Sequence, residues 1–128
     1  MWEVQGNSVA GERVLVVDDE PYIVELLDEL LDDEGYHVQR ANDGITALEE
    51  IEREPPDLIL ADVMMPRLDG LKLAAHLRDR GDDTPIILMS AAVTPRDASY
   101  AFIAKPFDIE EMLDLVADML LDHPAAQS

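Results

Sequence analysis

Four short apolar runs in this chain each stop on a polar group. Arg13-Val14-Leu15-Val16-Val17 ends in Asp18-Asp19, and Asp57-Leu58-Ile59-Leu60-Ala61 ends in Asp62. Pro85-Ile86-Ile87-Leu88-Met89 ends in Ser90, and Ala101-Phe102-Ile103-Ala104 ends in Lys105-Pro106. A lone aspartate after an apolar run is usually a turn former or a helix cap. Three aspartates, a lysine and a hydroxyl, each ending such a run, ask for more. An ionised carboxylate at the end of a buried strand is costly to desolvate unless something pairs with it. Asp18, Asp19 and Asp62 together would repel one another and call for a cation. Hard oxygen ligands with few nitrogen donors suit Mg²⁺, which keeps some waters and shares its shell with phosphate. A lysine across the site can balance charge or hold a phosphoryl oxygen, and the Ser90 hydroxyl can bond the same group. That set suits phosphoryl transfer with an aspartate as nucleophile, and the central strand makes Asp62 the choice.

The elements that must position these groups can be read from periodicity. Ile23, Leu26, Leu27, Leu30 and Leu31 mark one face of a first helix, with Pro21 in its first turn and Gly35 at its end. Residues 36–41 alternate as a half-buried strand. Asn42-Asp43-Gly44 opens a second helix with Ile45, Leu48 and Ile51 inward. A third helix over about 70–80 buries Leu73, Ala74 and Leu77 and stops at Gly81. The last starts near Asp108 and aligns Ile109, Met112, Leu113, Val116 and Leu120. Strand and helix alternate, which gives a parallel sheet covered on both faces. In such folds ligands sit beyond the carboxyl ends of the strands, at the switch point of the strand order. Topology, not sequence adjacency, would bring the polar strand ends together.

A length of 128 residues suits one domain, and 48% hydrophobic residues suffice for a core. Residues 1–11 read as a loose arm, 12–121 as the domain and 122–128 as a polar tail. No apolar run approaches a membrane span, and the first residues lack the pattern of a signal peptide. Cysteine is absent, which excludes thiol chemistry and disulfides. A cytoplasmic protein is expected. The formal net charge of −20 repels nucleic acid and anionic membrane, so direct binding to either is not expected. His37, His76 and His123 share no ligand spacing.

The motifs Val-Val-Asp18-Asp19-Glu20-Pro21, Asp57-Leu-Ile-Leu-Ala-Asp62-Val-Met-Met-Pro66, Leu68-Asp69-Gly70, Ser90-Ala91 and Lys105-Pro106-Phe107 resemble the receiver domain of two-component response regulators, the CheY-like family, over about 12–121. The resemblance implies a flavodoxin-like, doubly wound sheet of five parallel strands in the order 2-1-3-4-5. It implies that Asp62 accepts a phosphoryl group from a phosphohistidine on a histidine kinase or histidine phosphotransfer protein. Asp19, Asp62 and the Met64 backbone carbonyl would bind Mg²⁺ directly, and Asp18 largely through a metal-bound water. Ser90 would be the switch hydroxyl, Lys105 its phosphoryl-binding partner, and Phe102 the switch aromatic. The bond before Pro106 would be cis. Met64 and Ala92, two residues after Asp62 and Ser90, offer no polar group to position a water, which points to slow hydrolysis of the phosphoryl group. The protein would be a signalling phosphoacceptor that catalyses only its own phosphorylation and dephosphorylation.

One departure from that pattern stands out. Only nine residues, 91–99, lie between Ser90 and Tyr100, whereas a helical crossover takes at least about 10–12. The fourth helix of the family is therefore expected to be truncated or replaced by a loop. Because the family signals through the fourth helix, fifth strand and last helix, a non-standard output surface or homodimer is expected, or else a monomer acting on a downstream protein target. Two other readings compete with a single-domain receiver. A pseudo-receiver, a phosphorylation-independent interaction module, fits the short crossover but not the complete set of site residues. A Mg²⁺-dependent phosphatase using an aspartyl phosphate would need a second carboxylate just after Asp62, where Val63 and Met64 stand.

Overall fold

Strands covered on both faces must be apolar along their length, and three of the strands are. β1 (Arg13–Val17) is buried from its second residue onward, and β3 (Leu58–Asp62) and β4 (Ile86–Ser90) throughout. They form the middle of a five-stranded parallel sheet, flanked by the less buried β2 (His37–Ala41) and β5 (Ala101–Ala104). The order is β2-β1-β3-β4-β5, as the resemblance implies. This architecture comes from a computed structural model that describes residues 11–65, 67–91 and 100–121.

α1 (Pro21–Asp33) and α4 (Ile109–Leu121) cover one face of the sheet. Leu27, Leu31, Met112 and Val116 pack there on Val14, Val16, Leu58 and Leu60. α2 (Gly44–Arg53) and α3 (Gly70–Asp79) cover the other, where Ala47, Ile51, Leu73 and Leu77 meet Leu15, Ile59 and Leu88. Each strand thus sends alternate residues to opposite cores. The strand order reverses between β1 and β3, which puts the switch point at the carboxyl ends of those two strands.

The helix faces differ in part from the periodicity. α2 buries Gly44, Ala47 and Ile51, while Ile45 is exposed and Leu48 only half-buried. Gly44 faces Leu68 so closely that a Cβ there would overlap its backbone. This approach needs a residue without a side chain, and glycine and alanine carry little hydrophobic signal. In α1, Val24, Leu27 and Leu31 point inward and Leu26 outward; in α4, Ile109 is exposed at its start. Leu27→Ala should therefore cost about 2–5 kcal/mol, whereas Leu26→Ala should stay near about 0.5 kcal/mol, as urea denaturation would measure.

The expected shortening of the fourth crossover falls on 92–99, outside the described residues. Among the described residues no helix lies between β4 and β5. The expected arm and tail also lie largely outside them. No described helix is long and apolar enough to cross a membrane.

Candidate functional site

β1 and β3 run side by side, with Val17 opposite Ala61. Their next residues, Asp18 and Asp62, therefore emerge together at the switch point. Both are buried. One oxygen of Asp18, Oδ1, accepts the Glu20 N–H at 2.9 Å. Oδ1 of Asp62 accepts the Met64 N–H at 3.2 Å. The remaining oxygens converge on Lys105, whose Nζ lies 2.9 Å from Asp18 Oδ2 and 3.1 Å from Asp62 Oδ2. Asp19 is exposed beside them, and the three aspartates offer oxygens within 4.8 Å of one another.

The lysine is placed by the sheet. Its backbone N–H donates to the Ser90 carbonyl at 2.9 Å, extending the pairing of β4 with β5, and the Lys105–Pro106 bond is cis. Ser90 is buried one residue beyond Met89, the residue opposite Asp62. Phe102 is half-buried in the α2–α3 core, opposite Leu88. The Met64 side chain is 67% exposed, and its N–H on Asp62 fixes the start of the loop to α3. The structure thus gathers Asp18, Asp19, Asp62, Ser90 and Lys105 at one sheet edge and leaves Phe102 on the adjoining strand. Ala92 lies outside the described residues.

Burial raises the Asp62 pKa above the ordinary carboxylate range, and the nearby Asp18 charge raises it further; Lys105 only partly offsets them. Burial alone would lower the Lys105 pKa, but its bonds to Asp18 and Asp62 outweigh that and leave it raised. The lysine stays charged and acts as a fixed cation between two carboxylates. Three carboxylates against one ammonium leave room for a divalent charge. The all-oxygen donor set fits Mg²⁺, and Asp18, Asp19 and Asp62 are the residues that could hold it.

The residues that brace this edge are less evident in the sequence. Gly70 lies against the Asp62 backbone carbonyl, with no room for a Cβ, and its N–H donates to the Val63 carbonyl at 3.2 Å. Asp43 caps α2 through the Thr46 N–H at 2.8 Å and also pairs with Arg67 of the β3–α3 loop. Two Asp-Gly pairs were visible as helix starts. That one of them holds the other's loop needed the fold.

A doubly wound α/β sheet with an acidic cluster and a lysine at its switch point defines the class of protein. The chain belongs to the response regulator receiver domain family, whose pattern it matches over residues 14–117. It is 43% identical over 115 residues to response regulator MprA of Mycobacterium leprae, an alignment that takes in 84% of this chain and 50% of that protein. To the MprA of Mycobacterium ulcerans it is 44% identical over 108 residues, covering 79% and 47%. The chain thus spans about half the length of these curated relatives. Among solved structures, the receiver domain of Francisella response regulator 1452 superposes with a TM-score of 0.82 at 31% identity, covering 88% of this chain and 98% of that one. The receiver domain of NtrX from Brucella abortus gives 0.76 at 33% identity, covering 86% and 98%.

Proposed function

We propose that this chain accepts a phosphoryl group on Asp62 from a phosphohistidine of a histidine kinase or histidine phosphotransfer protein. The observation that carries the reading is the placement of Asp62 beside Asp18, Asp19 and a charged Lys105 at the switch point. An Asp62 carboxylate oxygen attacks phosphorus, the P–N bond breaks, and its electron pair stays with the imidazole. Mg²⁺, held by Asp18, Asp19, Asp62 and the Met64 carbonyl, would neutralise the phosphoryl oxygens during the transfer. Lys105 already points its Nζ at Asp62 and donates to a phosphoryl oxygen with little reorganisation. The Ser90 hydroxyl binds the same group, and Phe102, one strand away, carries the switch. The reaction places the protein in a two-component signalling pathway in the cytoplasm, with phosphorylation and dephosphorylation as the only chemistry it catalyses.

A groove of about 370 Å³ supports the proposed donor. Tyr22, Ile23 and Leu26 of α1 line it together with Lys105, Pro106, Phe107 and Ile109. Exposed apolar side chains next to the phosphoacceptor give a donor protein's helix a place to dock. Acidic residues on α1, among them Glu25, Glu29, Asp32 and Asp33, favour a basic partner.

The test is mass measurement and phosphoaspartate mapping after incubation with Mg²⁺ and a small acyl phosphate. One labile phosphoryl group on Asp62 is expected. No gain of mass, together with no Mg²⁺ binding, would favour a phosphorylation-independent interaction module instead. The exposed apolar Met64 leads to a further expectation. Met64→Asn supplies a polar group that can orient water and should speed loss of the phosphoryl group about tenfold. An unchanged lifetime in a phosphate-release assay would sink the slow-hydrolysis reading.

A further inference from the structure

The β3–α3 loop is held from outside the reaction centre. Arg67 sends Nε and Nη2 to a single Asp43 oxygen, Oδ2, at 2.9 and 2.7 Å. Asp43 is 9% exposed, and its Oδ1 is occupied by the Thr46 N–H. That backbone bond above all, then the Thr46 hydroxyl and Arg67, holds its pKa below the ordinary range despite burial. Arg67 itself has a φ of 69°, a left-handed conformation that a non-glycine residue adopts only against a steric cost. Next to it, the Leu68 backbone rests on Gly44, and two residues further Gly70 rests on the Asp62 carbonyl. The start of α2 also borders the acidic cluster. Asn42 and Thr46 line a cavity of about 450 Å³ shared with Asp18 and Asp19.

From this we infer that Asp43 and Arg67 are positioning residues, a clamp that ties the loop after Asp62 to the start of α2 and so fixes the Met64 backbone for cation binding. The inference rests on the phosphoacceptor reading given above. The physical argument is one of restraint. Met64 has an exposed side chain, and its N–H donates to Asp62 at the strand end. The other end of the loop is set by the clamp, by the Gly44–Leu68 contact and by the Gly70 N–H on Val63. An ion pair with one well-buried member resists motion better than a solvated one. Releasing it lets Arg67 relax from its left-handed conformation, and the Met64 carbonyl expected to face the cation moves with it. Groups one shell away from a metal commonly change its affinity by 10–100-fold when removed.

The test compares the wild-type protein with Asp43→Asn, Arg67→Met and the double variant. Asparagine keeps an oxygen for the Thr46 N–H, so the cap of α2 survives while the ion pair is lost. Calorimetric titration with Mg²⁺ alone should give a Kd raised about tenfold in each single variant and no further in the double. Phosphoryl uptake from a small acyl phosphate should fall at limiting Mg²⁺ and recover at saturating Mg²⁺. Thermal midpoints report folding separately. Lower midpoints with unchanged Mg²⁺ affinity would overturn the inference and reduce the pair to a structural tie, as would losses that simply add in the double variant. A wild-type protein that binds no Mg²⁺ would overturn the parent reading instead, which separates the two failures.

Discussion

Asp62→Asn should take up no phosphoryl group, and in metal-free buffer it should unfold at a higher temperature than the wild-type protein. The first half follows from the chemistry, since the carboxylate oxygen is the proposed nucleophile and an amide oxygen is not one. The second follows from electrostatics. Asp62 is buried and lies beside Asp18, and both facts raise its pKa. A carboxyl whose pKa is higher in the folded state binds its proton more tightly there. Folding stability therefore falls as pH rises from the ordinary carboxylate range through the raised value, and at neutral pH the ionised group is a net cost. Asparagine removes the charge but keeps an acceptor for the Met64 N–H, and Lys105 retains Asp18. A gain of about 1 kcal/mol, or about 4 °C, is the expected scale. Saturating Mg²⁺ should reverse the order, because the wild-type protein gains stability by binding the ion. Thermal melts of both proteins with chelator and with Mg²⁺ decide the matter. A variant less stable than wild type in chelator would show that the Lys105 pair outweighs the repulsion from Asp18.

The second large effect is expected from backbone packing rather than from a change of charge. Gly70→Ala should cost about 3 kcal/mol and slow phosphoryl uptake even under conditions where the variant is fully folded. A Cβ at Gly70 would overlap the Asp62 carbonyl oxygen and come within 3.1 Å of both its carbon and a Leu88 methyl. Backbone cannot yield as a flexible side chain can. Either β3 shifts at its end, carrying Asp62 with it, or the first turn of α3 lifts and breaks the Gly70 bond to Val63. Displacement of a nucleophile by a fraction of an ångström is enough to lower a rate substantially. Gly81→Ala is the control. Gly81 has a φ of +80° and nothing within 4 Å of its would-be Cβ, so alanine there meets only backbone strain of about 1 kcal/mol. Equal uptake rates for folded Gly70→Ala and Gly81→Ala would show that the Gly70 contact does not position Asp62.

The sheet was legible because β1, β3 and β4 are apolar runs bounded by polar residues, and alternation with helices leaves few topologies for such a pattern. The strand-end residues were legible for the same reason, since a polar group closing an apolar strand has one place to go. The helix faces were less so. Periodicity assigned Leu26, Ile45 and Ile109 to the core, but all three are exposed. The face that turns inward in α2 is chosen by Gly44 and Ala47, whose value is smallness rather than hydrophobicity. The Asp43–Arg67 pair was hidden for another reason. Its members are 24 positions apart, and no local pattern relates the cap of one helix to the loop before the next.

The lysine at the site has a consequence for how the chain comes into being. Asp18 and Lys105 are 87 positions apart, and Asp62 and Lys105 are 43 apart. During synthesis both acids leave the ribosome well before their counter-charge exists. A nascent chain that has completed β1 and β3 carries two mutually repelling carboxylates at adjoining strand ends, with only dissolved cations to quiet them. The neutralising residue arrives with the last strand of the sheet, so the acidic cluster gains its counter-charge in the same event that completes the sheet.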